Sequence, residues 1–335
     1  MISKKRIFIS AGESSGDFHA SGLVKELLKL DPDLEIEGLG GDNLSGLGVR
    51  LLYHTRDLAA MGFWEVIKKL SFFMDVRNDC RRHLMDKKPD LVILVDYPGF
   101  NLRLAKDANA LGIPVVYFIL PQVWAWKPNR IEALNKYCNM LISILPFEKE
   151  FFARYNTEVE YVGHPFTDII PDEADLSEIK QKLNRSKIGK LICMLPGSRE
   201  QELERNLPPM VKAISILKRK HGNIKGLIIK AENLSADLYS NTIGKEKESI
   251  ELVESGKYDY IKASDAVMVA SGTATLETAV CGTPGVVLYK TSLFTYLLAK
   301  RLVKIDMIAM ANIVAGERVF PELIQKDAAP GRIAD

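Results

Sequence analysis

Short apolar runs alternate with stretches of helical periodicity along most of the chain. "RIFIS" precedes "FHASGLVKELLKL", and "LVILVDY" precedes "NLRLAKDANALG". "PVVYFIL", "MLISIL" with "EKEFFARY", and "EVEYVG" follow in turn. Strands that are apolar almost throughout and separated by helices predict a parallel sheet covered on both faces. From Pro171 to Lys190 the text turns polar, "PDEADLSEIKQKLNRSKIGK", which predicts a domain connection. The rhythm then restarts with "LICMLPGS", the helix "LERNLPPMVKAISILKRK", "IKGLIIK", "AVMVA" and "GVVLYK". The pattern predicts an α/β protein of two doubly wound, Rossmann-like domains, residues 1–170 and 171–335. Ligands are expected at the carboxyl ends of the strands, in a cleft between the domains. The final stretch, "PELIQKDAAPGRIAD", reads as a helix followed by a polar turn.

Composition narrows the classes. A chain of 335 residues with 47% hydrophobic and 26% charged residues is globular and long enough for about two cores. A formal net charge of +2 gives no field for bulk nucleic-acid binding, so no nucleic-acid partner is expected. "MISKKRIFIS" reads as a first strand, not a signal peptide. The 4 cysteines contain no C-x-x-C and the 5 histidines no H-x-x-x-H, so neither a disulfide framework nor a metal site is predicted and a reducing cytoplasm fits.

Chemistry concentrates where strands become helices. In "LPGSREQELERN", Gly197 permits a tight turn, Ser198 and Gln201 have capping-box spacing, and Arg199 stands beside the exposed N–H groups of a helix start. That is a seat for an anion, or an ordinary cap with a surface arginine. "ASGTATLE" repeats the device: Ser271, Gly272, Thr273 and Ala274 leave room for a phosphate, and Glu277 follows one turn in, able to accept from sugar hydroxyls. "SAGESSGDFHASG" has the same grammar after the first strand, with Gly12, Glu13, Ser14, Gly16 and Asp17. It also satisfies G-x-S-x-G, and with Asp96 and His164 downstream a hydrolase stays open.

Asp96 ends "LVILVDYPGFN" as a general base for an alcohol or as a brace for the turn. "LPQVWAWKPNR" sets Trp124 and Trp126 near Lys127 and Arg130, as a sugar platform or as core. Phe63, Val66, Ile67, Leu70 and Phe73 recur at helical spacing beside Lys68, Lys69, Arg77, Arg81 and Arg82. Such a stripe suits packing or an interfacial helix on anionic lipid.

Taken in order, "AGESSGD", "GLGGDNL", "AAMGFWEV", "VDYPGFN", "QVWAWKPNR", "LPFEKEFF", "VGHP", "LPGSREQE", "ASGTATLE", "FTYLLAKRLVK" and "NIVAG" resemble the lipid A disaccharide synthases, inverting glycosyltransferases of bacterial outer-membrane biogenesis. The resemblance implies a GT-B fold and a hexosyl transfer from UDP-2,3-diacylglucosamine to the 6-hydroxyl of 2,3-diacylglucosamine 1-phosphate, giving a β-1',6 disaccharide and UDP. It implies no cofactor and no metal. It also implies work at the inner face of the inner membrane of a Gram-negative bacterium, with Phe63, Trp64, Ile67, Leu70, Phe72 and Phe73 toward acyl chains or anionic lipid.

The catalytic residues it implies are Asp96, Arg199 and Asp90. Its substrate-binding set is Gly12, Glu13, Ser14, Gly16, Asp17, Gln122, Trp124, Gly197, Ser198, Ser271 to Ala274, Glu277 and Asn312. Two departures stand out. Where many members read "DxPDFN" this chain has Gly99, which leaves Asp17 and Glu13 as rivals to Asp96 for the base, and family chains usually continue through further helices. Another GT-B UDP-sugar transferase or epimerase, or a UDP-sugar-binding protein without catalysis, remains the alternative.

Overall fold

The apolar runs become the central strands of two parallel sheets in a computed structural model that describes residues 4–58, 70–170, 176–182, 189–244, 248–302 and 306–335. The chain divides into two compact units, Met1–Pro165 and Phe166–Asp335. The division falls before the short helix Phe166–Ile169, which packs on the Thr273–Val280 helix of the second unit.

Unit 1 holds β1 (Arg6–Ala11), β2 (Glu35–Gly40), β3 (Arg50–His54), β4 (Leu91–Val95), β5 (Val115–Phe118), β6 (Met140–Ser143) and β7 (Glu160–Tyr161). They pair in the order β3-β2-β1-β4-β5-β6-β7, all parallel. β1 and β4 are buried along nearly their whole length because helices cover both faces. Val76, Cys80 and Leu84 of the Leu70–Lys87 helix and Leu104, Ala105 and Ala108 of the Pro98–Ala110 helix pack with Phe8, Val92 and Leu94 in one core.

Unit 2 repeats the plan with β8 (Lys190–Leu195), β9 (Ile224–Ile229), β10 (Ile250–Val253), β11 (Ala266–Ala270), β12 (Gly285–Tyr289) and β13 (Glu322–Ile324), in the order β10-β9-β8-β11-β12-β13. The tail departs from the expected helix and turn. Glu322–Ile324 pairs with β12 as an edge strand, and Pro330–Ala334 forms a short helix whose Ile333 joins the core under the Glu200–His221 helix. A three-residue strand is too short to show a period of two in the sequence.

In each sheet the order reverses once, between β1 and β4 and between β8 and β11. Chains leave the carboxyl ends of those two strands toward opposite faces, opening a crevice where doubly wound sheets hold ligands.

Candidate active site

Ala11 is in register with Val95, so Gly12 and Asp96 emerge side by side at the switch point of unit 1. Asp96 and Tyr97 both have left-handed backbone, φ 46° and 49°. Two adjacent non-glycine residues in that region cost about 1–3 kcal/mol each and persist only when neighbours over-determine them. Here the Asp96 carbonyl accepts from the Tyr117 hydroxyl at 2.6 Å and from Asn101 Nδ2 at 2.8 Å, and its N–H points at the Phe118 and Ile119 carbonyls. Asn101 is itself buried and pinned to β1, accepting from Ser10 Oγ at 2.7 Å. A side chain at position 12 would run into the Tyr97 ring, so Gly12 is what lets that ring lie over the β1 turn.

Burial raises the Asp96 carboxyl to about 6, the charge of Glu13 adds to the rise, and Arg130 opposes it. A second carboxylate, Glu148, is buried nearby and raised to about 7, mainly by burial, with the charge of Asp96 contributing. The hydrogen bond from Trp124 Nε1 at 3.1 Å works the other way. Asp96 is thus ionised at neutral pH yet more basic than an ordinary carboxylate, as a general base requires.

Of the other carboxylates expected here, Glu13 is near enough for its charge to act on Asp96, while Asp17 and Asp90 are engaged elsewhere. Asp17 accepts from the N–H groups of Gly41 (2.6 Å), Asn43 (3.1 Å) and Leu44 (3.3 Å) and from Asn43 Nδ2 (2.9 Å), so it ties down the glycine-rich loop and its oxygens are saturated. These bonds make it a structural anchor of that loop. Asp90 sits before the amino end of β4 and accepts from the Arg6 N–H at 2.7 Å, a full strand away from Asp96, so the structure does not bring these two together.

Glu13, Ser14 and the buried Gly16 form the start of the Ser14–Leu30 helix, with Glu13 and Ser14 exposed. No hydrogen bond joins Ser14 to His164 among the described residues. His164 instead meets His19 edge-on at 6.0 Å, held near 4 by burial and by that neighbour. The nucleophile-elbow reading therefore has no dyad behind it.

Gln122 is exposed at the head of the loop after β5, while Trp124 is half-buried, turned onto Glu148 and Phe147. The indole left exposed in this loop is Trp126, not Trp124.

In unit 2, Val269 is in register with Leu195, which sets the turns after β8 and β11 side by side. The first turn differs from the predicted capping box. Arg199, not Ser198, is the N-cap, and it is Glu202, not Gln201, that reaches back, accepting from the Ser198 N–H and from Arg199 Nη1 at 3.2 Å each. The helix begins one residue later than the spacing suggested, which moves the reciprocal partner by one. Gly197 has φ 123°, and a Cβ there would stand 2.6 Å from that of Glu202. The turn therefore already holds a carboxylate against an N–H and a guanidinium, the environment an anion seeks.

In the second turn Gly272 and Thr273 are exposed, and Ala274 half-buried, at the start of the Thr273–Val280 helix. Ser271 Oγ donates to the Ile308 carbonyl at 2.8 Å, bracing the turn from the far side. Glu277 is buried, with Lys257 Nζ 2.6 and 2.5 Å from its oxygens and the Tyr258 hydroxyl at 3.0 Å. Three of its roughly four lone-pair directions are filled, leaving room for one further donor. Lys257 and Tyr258 escaped sequence reasoning because they lie on a separate helix.

Asn312 is buried, exchanges both hydrogen bonds with the Phe320 backbone at 2.9 Å and donates to Glu322 at 2.9 Å, which ties the Met310–Ala315 helix to β13.

Of the aromatic stripe, Phe63, Trp64 and Ile67 lie outside the described residues, and of Leu70 only the backbone, at a helix start, is described. Phe72 and Phe73 are half-buried against the unit 1 core, Phe72 edge-on to Tyr53 at 5.9 Å. Arg77, expected in the basic rim, is forked onto Asp107 at 2.7 and 2.8 Å. No helix among the described residues is long and apolar enough to cross a membrane.

Comparison with known proteins agrees with this layout. The family model described as lipid-A-disaccharide synthetase matches residues 7–335. The lipid-A-disaccharide synthase of Syntrophus aciditrophicus is 40% identical over 334 residues, covering 99% of this chain and 87% of that protein. That of Myxococcus xanthus is 36% identical over 335 residues, 100% and 88% of the two chains. Among solved structures, the glycotransferase of kitacinnamycin superposes with TM-score 0.62 at 12% identity, covering 99% of this chain and 89% of that one. The UDP-GlcNAc 2-epimerase from Neisseria meningitidis bound to UDP-GlcNAc gives TM-score 0.59 at 15% identity, covering 98% and 96%. These two show the fold, GT-B, and the near full-length relatives show the family: the chain belongs to the lipid-A-disaccharide synthases, which are glycosyltransferases.

Proposed function

We propose that the protein transfers 2,3-diacylglucosamine from its UDP conjugate to the 6-hydroxyl of 2,3-diacylglucosamine 1-phosphate, with Asp96 as the base. The observation that carries the reading is a buried carboxyl raised to about 6, held in a strained turn at the unit 1 switch point. As the acceptor O6 attacks C1 of the donor sugar, Asp96 takes the hydroxyl proton. The C1–O bond to the diphosphate breaks with inversion, and its electron pair leaves on UDP.

Charge building on the diphosphate is met by Arg199, the Ser198 N–H and the exposed helix start at Gly272 and Thr273, with Glu202 giving way to the ligand. Glu277 uses its remaining lone pair for a ribose hydroxyl, in the orientation fixed by Lys257 and Tyr258. The acyl chains require work at an anionic membrane surface, and the segment before Phe72 supplies the apolar contact.

The test is UDP release from UDP-2,3-diacylglucosamine with and without 2,3-diacylglucosamine 1-phosphate. Release that depends on the acceptor supports transfer, and release without it, or none from folded protein, overturns it. An epimerase would convert the UDP-sugar with no acceptor present.

A further inference from the structure

The loop after β5 gathers positive charge around one exposed ring. Trp126 is 39% exposed, Lys127 Nζ lies 4.4 Å from its ring centroid, and Arg130 Cζ lies 5.1 Å from the same centroid. Two cations have converged on one indole, and among the described residues neither forms an ion pair with a carboxylate. The arrangement is fixed locally. Lys127 has left-handed backbone at φ 55°, its carbonyl accepts the Arg130 N–H at 3.1 Å, and Arg130 opens the Arg130–Tyr137 helix. The loop is also anchored beside the base, since the Asp96 N–H points at the Ile119 carbonyl and Arg130 acts electrostatically on both Asp96 and Tyr117.

A lone cation over an indole is ordinary surface chemistry. Two like charges share the ring here, and Asp96, the carboxyl that feels Arg130, forms no ion pair with it, so the pair has charge left for a further anion. Asp96 and Glu13, whose charges already act on each other, repel such an anion.

We infer that Trp126, Lys127 and Arg130 form the subsite for the phosphate monoester of the acceptor sugar, the indole lying against the pyranose and the two cations on the phosphate. This rests on the transfer reading above. With O6 directed at Asp96, the phosphate on C1 lies on the far side of the ring oxygen, which C1 and C5 both flank, so it falls within a few bonds of that hydroxyl and within reach of a loop anchored beside the base. A guanidinium gives a phosphate a bidentate partner and an ammonium a point charge, so the pair recognises a monoester dianion better than a diester.

The experiment compares acceptor-dependent UDP release using 2,3-diacylglucosamine 1-phosphate and 2,3-diacylglucosamine lacking the phosphate, in wild type, Lys127→Ala, Arg130→Ala and Arg130→Lys. The expected result is that wild type prefers the phosphorylated acceptor and that Arg130→Ala raises its KM at least tenfold. The same variant leaves the KM of the unphosphorylated acceptor and of the UDP-sugar within about twofold, and Arg130→Lys recovers part of the loss. Equal losses with both acceptors, or an unchanged preference, overturn the subsite.

Glucosamine 1-phosphate against glucosamine in a calorimeter gives a readout that needs no turnover. Binding of the former alone, lost in Lys127→Ala with Arg130→Ala, supports the subsite even if acceptor-dependent release fails. Sedimentation with phosphatidylglycerol vesicles separates the other source of phosphate. Variants that lose vesicle binding yet keep the acceptor preference assign these cations to the membrane surface and overturn the proposal.

Discussion

The two switch points share one topology and differ in chemistry. In unit 1 the crevice between β1 and β4 is built around a carboxyl whose burial makes it more basic, and the backbone there is bent into two successive left-handed residues to present it. In unit 2 the crevice between β8 and β11 is built around glycine turns and helix starts, and its buried carboxylate, Glu277, is neutralised by Lys257 at 2.5 Å. On the proposed reading, the same fold offers a proton acceptor in one unit and an anion seat in the other. What decides is whether the strand end carries a side chain that loses water or a backbone that exposes N–H groups.

The largest effect expected is on the base. Asp96→Asn lowers kcat by about 10²–10⁴, the usual contribution of a general base, while UDP affinity measured by calorimetry stays within twofold. The same substitution stabilises the fold. A carboxyl whose folded pKa is raised above its unfolded value contributes stability below the unfolded pKa and loses it as pH rises through the folded one, here from about 4 through about 6. Asp96→Asn therefore melts higher than wild type at pH 8, by roughly a few degrees, and the advantage shrinks toward pH 4. Equal melting temperatures at pH 8 contradict the buried-carboxyl account.

Next comes the anion seat. Arg199→Ala lowers kcat by about 10²-fold, the scale of losing one charge-stabilising donor, without altering the acid limb of the pH profile that belongs to unit 1. A loss confined to acceptor KM would break the division of labour between the units.

Lys257→Met sharpens the same comparison through stability. It leaves Glu277 buried without its cation, at a cost of about 3 kcal/mol in urea unfolding of unit 2, and adding Glu277→Gln recovers most of it. Donor KM rises in both variants if Glu277 holds ribose. A smaller effect is expected from Phe72→Ser, which destabilises unit 1 by about 1–2 kcal/mol because the ring leans on the core, and for that reason it is a poor probe of lipid contact.

Strands buried on both faces were legible as apolar runs, and both halves of the α/β plan follow from them. β2, β3, β10 and β13 were not, because β3, β10 and β13 lie at sheet edges and β2 next to one, and each is only partly buried or very short, as in "EIEGLG" and "ELI". The strand-to-helix turns at Gly12, Asp96, Gly197 and Gly272 were legible because glycine and carboxylate punctuation marks them directly. The partners that set their chemistry were not. Glu148, Asn101, Lys257 and Glu202 act through contacts that only the folded chain creates, and so do the hydrogen bonds that tie Asp17, Asp90 and Asn312 to distant backbone. Spacing identifies the place where chemistry happens, and desolvation and long-range pairing decide which group there is free to perform it.

The measurement closest to the central claim is the pH dependence of kcat/KM for acceptor-dependent UDP release, in wild type and in Asp96→Asn. Asp96, raised by burial and by Glu13 and opposed by Arg130, predicts a wild-type rate that falls about tenfold per pH unit below an apparent pKa near 6, and a residual Asp96→Asn rate without that limb. A wild-type profile flat through pH 6, or an Asp96→Asn enzyme that keeps both its rate and the limb, contradicts the assignment of Asp96 as the base.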